Sequence, residues 1–221
     1  MSANFHTVAL DLPGFGESDK PATMEYTIKN FRKTIVDFIN DLAINDGKTS
    51  IVGHSLGGYI AAEVAIENRN LVERLVLIDS SGMLKKPTPL LEEYLKVAIN
   101  PTKDKVRKVF EQMVADPKRI PSKLVEGFIA RINLPNAKFA FKSTLENSAN
   151  TQIGLGRLKL IENIPTLIFW GSEDKVIPTE HSRLFKEGIP NSHIEIISDA
   201  GHAPFAEKPD QVSKILHNFL A

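Results

Sequence analysis

Thr49-Ser50-Ile51-Val52-Gly53-His54-Ser55-Leu56-Gly57-Gly58 begins as a short β-rich run and breaks at a serine set between glycines. The alanine-rich residues 59–68 that follow have helical character. A serine on a strand-to-helix turn is held in a strained conformation, with its hydroxyl exposed above the sheet. Strand and helix backbones approach closely at such a turn, so a side chain at Gly53 or Gly57 is expected to collide. Ser55 therefore reads as a nucleophile, and its base must be sought elsewhere in the chain.

Upstream, Thr7-Val8-Ala9-Leu10 is a β-branched, apolar run ending at Asp11, and Pro13, Gly14 and Gly16 then force a loop. Ile28, Phe31, Ile35, Phe38, Ile39 and Leu42 fall at helical spacing, with Thr27 as N-cap and Gly47 as the stop. Residues 49–52 are too apolar for a one-sided sheet, which predicts a parallel strand covered on both faces. Arg74-Leu75-Val76-Leu77-Ile78 is a further strand, closed by Asp79-Ser80-Ser81-Gly82.

Residues 83–160 read differently. Pro87, Pro89, Pro101, Pro117, Pro121 and Pro135 cut them into helical pieces at 90–99, 103–115, 122–132 and 137–149, with no strand-like run. Alternation resumes with a strand at 165–170, a helix at 179–187 and a strand at 193–197. Val212, Ile215, Leu216, Phe219 and Leu220 then mark a last amphipathic helix. Strands separated by helices predict an α/β fold, a mostly parallel sheet flanked by helices. The core spans 1–82 and 161–221, and an all-helical insertion spans 83–160.

In an open parallel sheet, reactive groups gather at the carboxyl ends of the strands. Ser55, Asp174 and His202 each lie just past such an end, in the chain order Ser, Asp, His. Asp79 is a rival acid because it ends the preceding strand. His6, His54, His181, His193 and His217 read as structural or solvated. Phe110, Met113, Phe128, Phe139 and Phe141 read as the apolar core of the insertion.

These motifs together resemble the α/β-hydrolase superfamily. Gly53-His54-Ser55-Leu56-Gly57-Gly58 looks like its nucleophile elbow, and Asp11-Leu12-Pro13-Gly14-Phe15-Gly16-Glu17-Ser18 looks like its loop after strand 4. Trp170-Gly171-Ser172-Glu173-Asp174 resembles the segment that carries its acid, and Ala200-Gly201-His202-Ala203-Pro204-Phe205 the segment that carries its histidine. The resemblance implies a serine hydrolase of the esterase or lipase type, with Ser55 as nucleophile, His202 as base and Asp174 as orienting acid. The backbone N–H of Leu56 would serve the oxyanion, and residues 83–160 would form a lid. An aspartate-nucleophile chemistry is excluded by Ser55. Ala203, where many carbon–carbon-bond hydrolases of the superfamily carry Trp, makes that branch the lesser alternative.

The family's sheet begins before this chain does. Residues 7–11 align with its fourth strand, so strands 1–3 and the His-Gly oxyanion loop after strand 3 would lie upstream. The chain is therefore expected to be a shortened or mis-started version of a longer hydrolase. Its exposed strand edge is expected to drive homo-oligomerisation, and a weakly catalytic binding protein is the competing class.

Composition bounds the remaining possibilities. A chain of 221 residues forms one domain with room for a full core. Lys+Arg and Asp+Glu are 27 each, which argues against a nucleic-acid or anionic-membrane partner. Cys is absent, so neither disulfides nor thiolate chemistry are available. No cofactor and no metal are expected, and the partner is a small acyl substrate. No apolar run approaches the roughly 20 residues of a membrane span, and Met1 to His6 lack the pattern of a signal peptide. A cytoplasmic protein is the expectation.

Overall fold

A computed structural model describes residues 5–42, 48–149 and 151–221. Four strands, β1 (Thr49–His54), β2 (Val72–Ile78), β3 (Thr166–Gly171) and β4 (His193–Ile197), form one sheet in the order β1-β2-β3-β4. Every pairing is parallel. Parallel neighbours need crossovers, and helices supply them. α2 (Leu56–Glu67) joins β1 to β2, and α8 (Glu180–Gly188) joins β3 to β4. α1 (Ile28–Leu42) precedes β1, and α9 (Pro204–Glu207) and α10 (Pro209–Leu220) follow β4. Thr27 Oγ1 accepts from Asn30 N at 3.2 Å and caps α1 as its sequence suggests. Gly47, expected to stop that helix, lies outside the described residues.

The strand period of two distributes the core. Leu75 and Leu77 of β2 and Ile168 and Trp170 of β3 pack with α2, Phe31 of α1 and Phe185 of α8. The alternate residues Val76, Ile78, Leu167 and Phe169 pack on the other face with Ile197 and Val212 of α10. α2 is mostly apolar and is buried from Gly58 to Ile66. Its buried Glu63 is satisfied by a fork from Arg157, whose two terminal nitrogens donate at 2.5 and 2.8 Å.

Between β2 and β3 lie α3 (Pro89–Ile99), α4 (Lys103–Met113), α5 (Ser122–Ile132), α6 (Ala137–Ala149) and α7 (Leu155–Leu158), with no strand among the described residues there. Tyr94, Phe110, Phe128 and Phe141 pack as an aromatic cluster with ring centroids 5.2–6.5 Å apart. Phe139 departs from the expected core role. It is 49% exposed and lays an edge against Tyr26.

Two strand expectations are corrected. Residues 7–10 form no strand, and Val8 and Leu10 are 46% and 39% exposed. A strand persists only in a ladder, and this segment joins none among the described residues. β1 is not covered on both faces either. It stands at the edge of the sheet, and Val52, in register with Val76 on the α10 face, is 46% exposed.

Phe31 has no exposed surface and sits between Phe15 and Tyr26. Phe31→Ala is expected to lower the unfolding free energy by about 3–5 kcal/mol, measured by urea denaturation.

Candidate active site

Ser55 occupies φ 52° and ψ −119°, between the end of β1 and the first turn of α2. Few residues with a side chain adopt a positive φ, so the turn must be held from outside. Ser55 N donates to Ile78 O at 2.9 Å, tying the turn to the end of β2. Ser81 N and Ser81 Oγ donate to Ser55 O at 3.0 and 3.2 Å. The close approach predicted for this turn is real at Gly53, where a Cβ would overlap the backbone of Gly57. At Gly57 itself the expectation fails, because a Cβ there would meet open space. The second tight glycine is Gly58, where a Cβ would stand 2.5 Å from Ser80 Oγ and 3.1 Å from Ser80 Cα.

Asp174 follows β3, and His202 follows β4. The two loops lock together, with Ser172 N donating to Ile197 O and Glu173 N to Ala200 O, each at 2.9 Å. Gly171 permits this, because a Cβ there would overlap the backbone of Ala200 and Gly201. The result is a continuous hydrogen-bond chain. His202 Nε2 lies 3.0 Å from Ser55 Oγ, and His202 Nδ1 lies 2.8 Å from Asp174 Oδ2. Asp174 Oδ1 accepts from Val176 N at 2.8 Å and Ile177 N at 3.0 Å. With its carboxylate pinned, Asp174 fixes His202 with Nδ1 protonated and Nε2 free to accept the Ser55 proton. Leu56 N is the first N–H of α2, one of those a helix leaves without an acceptor in its own turns.

Neighbouring groups hold the histidine from its other sides. His202 N donates to Met113 O at 2.7 Å, at the end of α4. The buried Glu207 carboxylate accepts from Gly201 N and Ala115 N, both at 2.8 Å. His54 places Nε2 2.6 Å from the His202 carbonyl, so Nε2 must carry the proton. The His54 ring packs 4.7 Å from that of His202 and 5.0 Å from that of Phe205. Burial, then the His202 charge, lower the His54 pKa to about 3. His54 is thus a neutral prop, as its structural reading implied, whereas Glu207 carried no signal in spacing or periodicity. Oxygens of Asp79 and Asp174 and a ring nitrogen of His202 lie within 4.8 Å of one another. Both His202 nitrogens already lie within hydrogen-bonding distance of a partner, Ser55 Oγ on one side and Asp174 Oδ2 on the other.

Residues 2–209 match the sequence profile of the alpha/beta hydrolase fold. The chain belongs to the α/β-hydrolase fold family. The uncharacterized hydrolase YugF of Bacillus subtilis (strain 168) is 29% identical over 225 residues, 98% of this chain and 80% of its own length. Lipase 3 of Moraxella sp. (strain TA144) is 30% identical over 209 residues, 92% of this chain and 65% of its own. Among solved structures, the meta-cleavage product hydrolase CumD of Pseudomonas fluorescens IP01 superposes with a TM-score of 0.87 at 23% identity, over 95% of this chain and 77% of that one. At that identity the likeness is one of fold. No described helix is long and apolar enough to cross a membrane.

The glycine geometry predicts opposite effects of one methyl group. Gly58→Ala should lower the melting temperature by several degrees, while Gly57→Ala, on an open helical position, should hold or raise it. Differential scanning calorimetry decides between them.

His54 gives a pH signature. Unfolded, it binds a proton below its ordinary 6.5, while folded it stays neutral down to about 3. Across that window the unfolded state holds more protons, so stability falls as pH falls. His54→Asn should remove this component, up to about 1.4 kcal/mol per pH unit, in urea titrations run from neutral to mildly acidic pH.

Proposed function

We propose that this α/β hydrolase is a serine hydrolase that cleaves an ester or related acyl bond through an acyl-enzyme. The observation that carries the reading is the unbroken chain Ser55 Oγ, His202 Nε2, His202 Nδ1, Asp174 Oδ2, at 3.0 and 2.8 Å. His202 Nε2 takes the Ser55 proton as Oγ attacks the acyl carbon. The imidazolium is stabilised by Asp174, which stays ionised. Leu56 N donates to the developing oxyanion. His202 then returns the proton to the departing alcohol, and water, activated by the same nitrogen, releases the acid.

The helical insertion supports an apolar acyl substrate. A cavity of about 250 Å³ begins at Ser81 and Gly82, beside the Ser55 turn, and is lined by Leu84, Leu91, Leu95 and Leu145 together with polar groups that include Lys86 and Glu92. Aliphatic walls suit an apolar acyl chain, and the relative named Lipase 3 agrees with that chemistry. The helices between β2 and β3 act as the lid of this site. The competing carbon–carbon-bond chemistry rests on likeness of fold alone.

The test compares wild type with Ser55→Ala on p-nitrophenyl acetate and butyrate. Turnover should fall by at least about a thousandfold in the variant, and a fluorophosphonate probe should label wild type only. Equal turnover in the two proteins would refute the assignment of Ser55. Labelling without turnover would favour a catalytically impaired binding protein.

A further inference from the structure

Asp79 is a fully buried carboxyl that the proposed chemistry does not use. It ends β2, and its backbone is fixed by Asp79 N donating to Phe169 O at 2.9 Å. One oxygen, Oδ1, accepts from Gly171 N at 2.9 Å. The other, Oδ2, is buried without a hydrogen-bond partner among the described residues. The Asp79 carboxyl sits in a crowded acidic corner. Asp174 and His202 are within 4.8 Å, and Glu207 of α9 adds a further negative charge from the side of the His202 loop. His54 lies beyond His202 and is neutral.

Two carboxylate anions cannot hydrogen-bond to each other, and a buried anion without a partner is costly. A proton on Asp79 removes both problems. Asp174 is ready to receive it, because a carboxylate has about four lone-pair sites and Asp174 takes donors from Val176, Ile177 and His202. We propose that Asp79 is a neutral carboxylic acid that donates its proton to Asp174 as a fourth donor, and so acts as a positioning residue behind the Asp174–His202 pair. Burial, reinforced by the charge of Asp174, holds Asp79 well above the usual carboxylate range, in keeping with this protonation state. The donor spreads the Asp174 charge and moderates the basicity of His202. One neutral and one ionised carboxyl side by side is the usual outcome when like charges share a dry site.

The role assigned to Asp79 rests on the serine-hydrolase reading of the site, but its test needs no turnover. The proton NMR titration of the His202 ring is followed in the full chain, assigned by loss of its signal in His202→Gln. Asp79→Val removes the donor and should raise the His202 midpoint by about 0.5 pH unit. Asp79→Asn keeps a donor to Asp174 and an acceptor for Gly171 N, and should restore the native midpoint. Infrared difference spectra at neutral pH should show the carbonyl stretch of a protonated carboxyl in wild type that Asp79→Asn lacks. An ionised Asp79 predicts the reverse. Asp79→Asn would then remove a negative charge and lower the midpoint by about one pH unit, with no infrared band lost. That fall, a missing band, or a midpoint identical in all three proteins would overturn the proposal. If Asp79→Val fails to fold, the Asp79→Asn titration and the infrared band decide alone.

Discussion

Ser55 at φ 52° and ψ −119° is the constraint around which the rest of the structure is arranged. Such a backbone costs of the order of 1–3 kcal/mol and persists only where its surroundings over-determine it. Here the surroundings are specific. The end of β2 holds Ser55 N, Ser81 holds Ser55 O with two donors, and the turn flows into a helix buried from Gly58 to Ile66. Relaxing the turn would require β2 to leave β1 or α2 to leave the core. The strain is therefore carried by the sheet and helix packing, and the hydroxyl stays aimed at His202.

The parallel sheet does the remaining assembly. Adjacent parallel strands present their carboxyl ends on one side, so residues far apart in sequence arrive together. Ser55, Asp79 and Asp174 leave the ends of β1, β2 and β3, and His202 leaves the end of β4. Sequence adjacency plays no part. Asp174 reaches His202 because Gly171 lets the loops after β3 and β4 meet at backbone contact. An alanine there would separate the same loops that Glu173 N and Ala200 O bind together.

Most elements were legible because their signals are local. The apolar run at 74–78, helical spacing in α1 and proline punctuation between 83 and 160 need no tertiary information. The misreadings share one cause, which is that burial is set by partners. Residues 7–10 have the composition of a strand and no ladder to join. Val52 has the composition of a doubly covered strand, yet it lies on the outermost strand, away from the packed side chains of α10. Gly57 looked as constrained as Gly53, but its hydrogen faces open space while its backbone receives the close approach. The Ser, Asp, His order exposed the site, whereas Glu207 stayed hidden because two backbone N–H groups from separate loops define its function.

That buried glutamate ties the helical insertion to the loop that carries His202. Glu207 bridges Gly201, next to His202, and Ala115, just past α4. Met113 O independently holds His202 N, and Arg119 donates to the Glu207 carbonyl at 2.6 Å. Hydrogen bonds to a buried charged group contribute more than neutral ones, and losing one partner leaves the carboxylate exposed to its full desolvation cost. The α4 end of the insertion is thereby part of the support of His202. The α3 and α6 side lines the apolar cavity and has no such polar ties to the histidine loop among the described residues. Shifting the α4 end would therefore break hydrogen bonds to the loop that carries His202, whereas shifting α3 or α6 would disturb none of them.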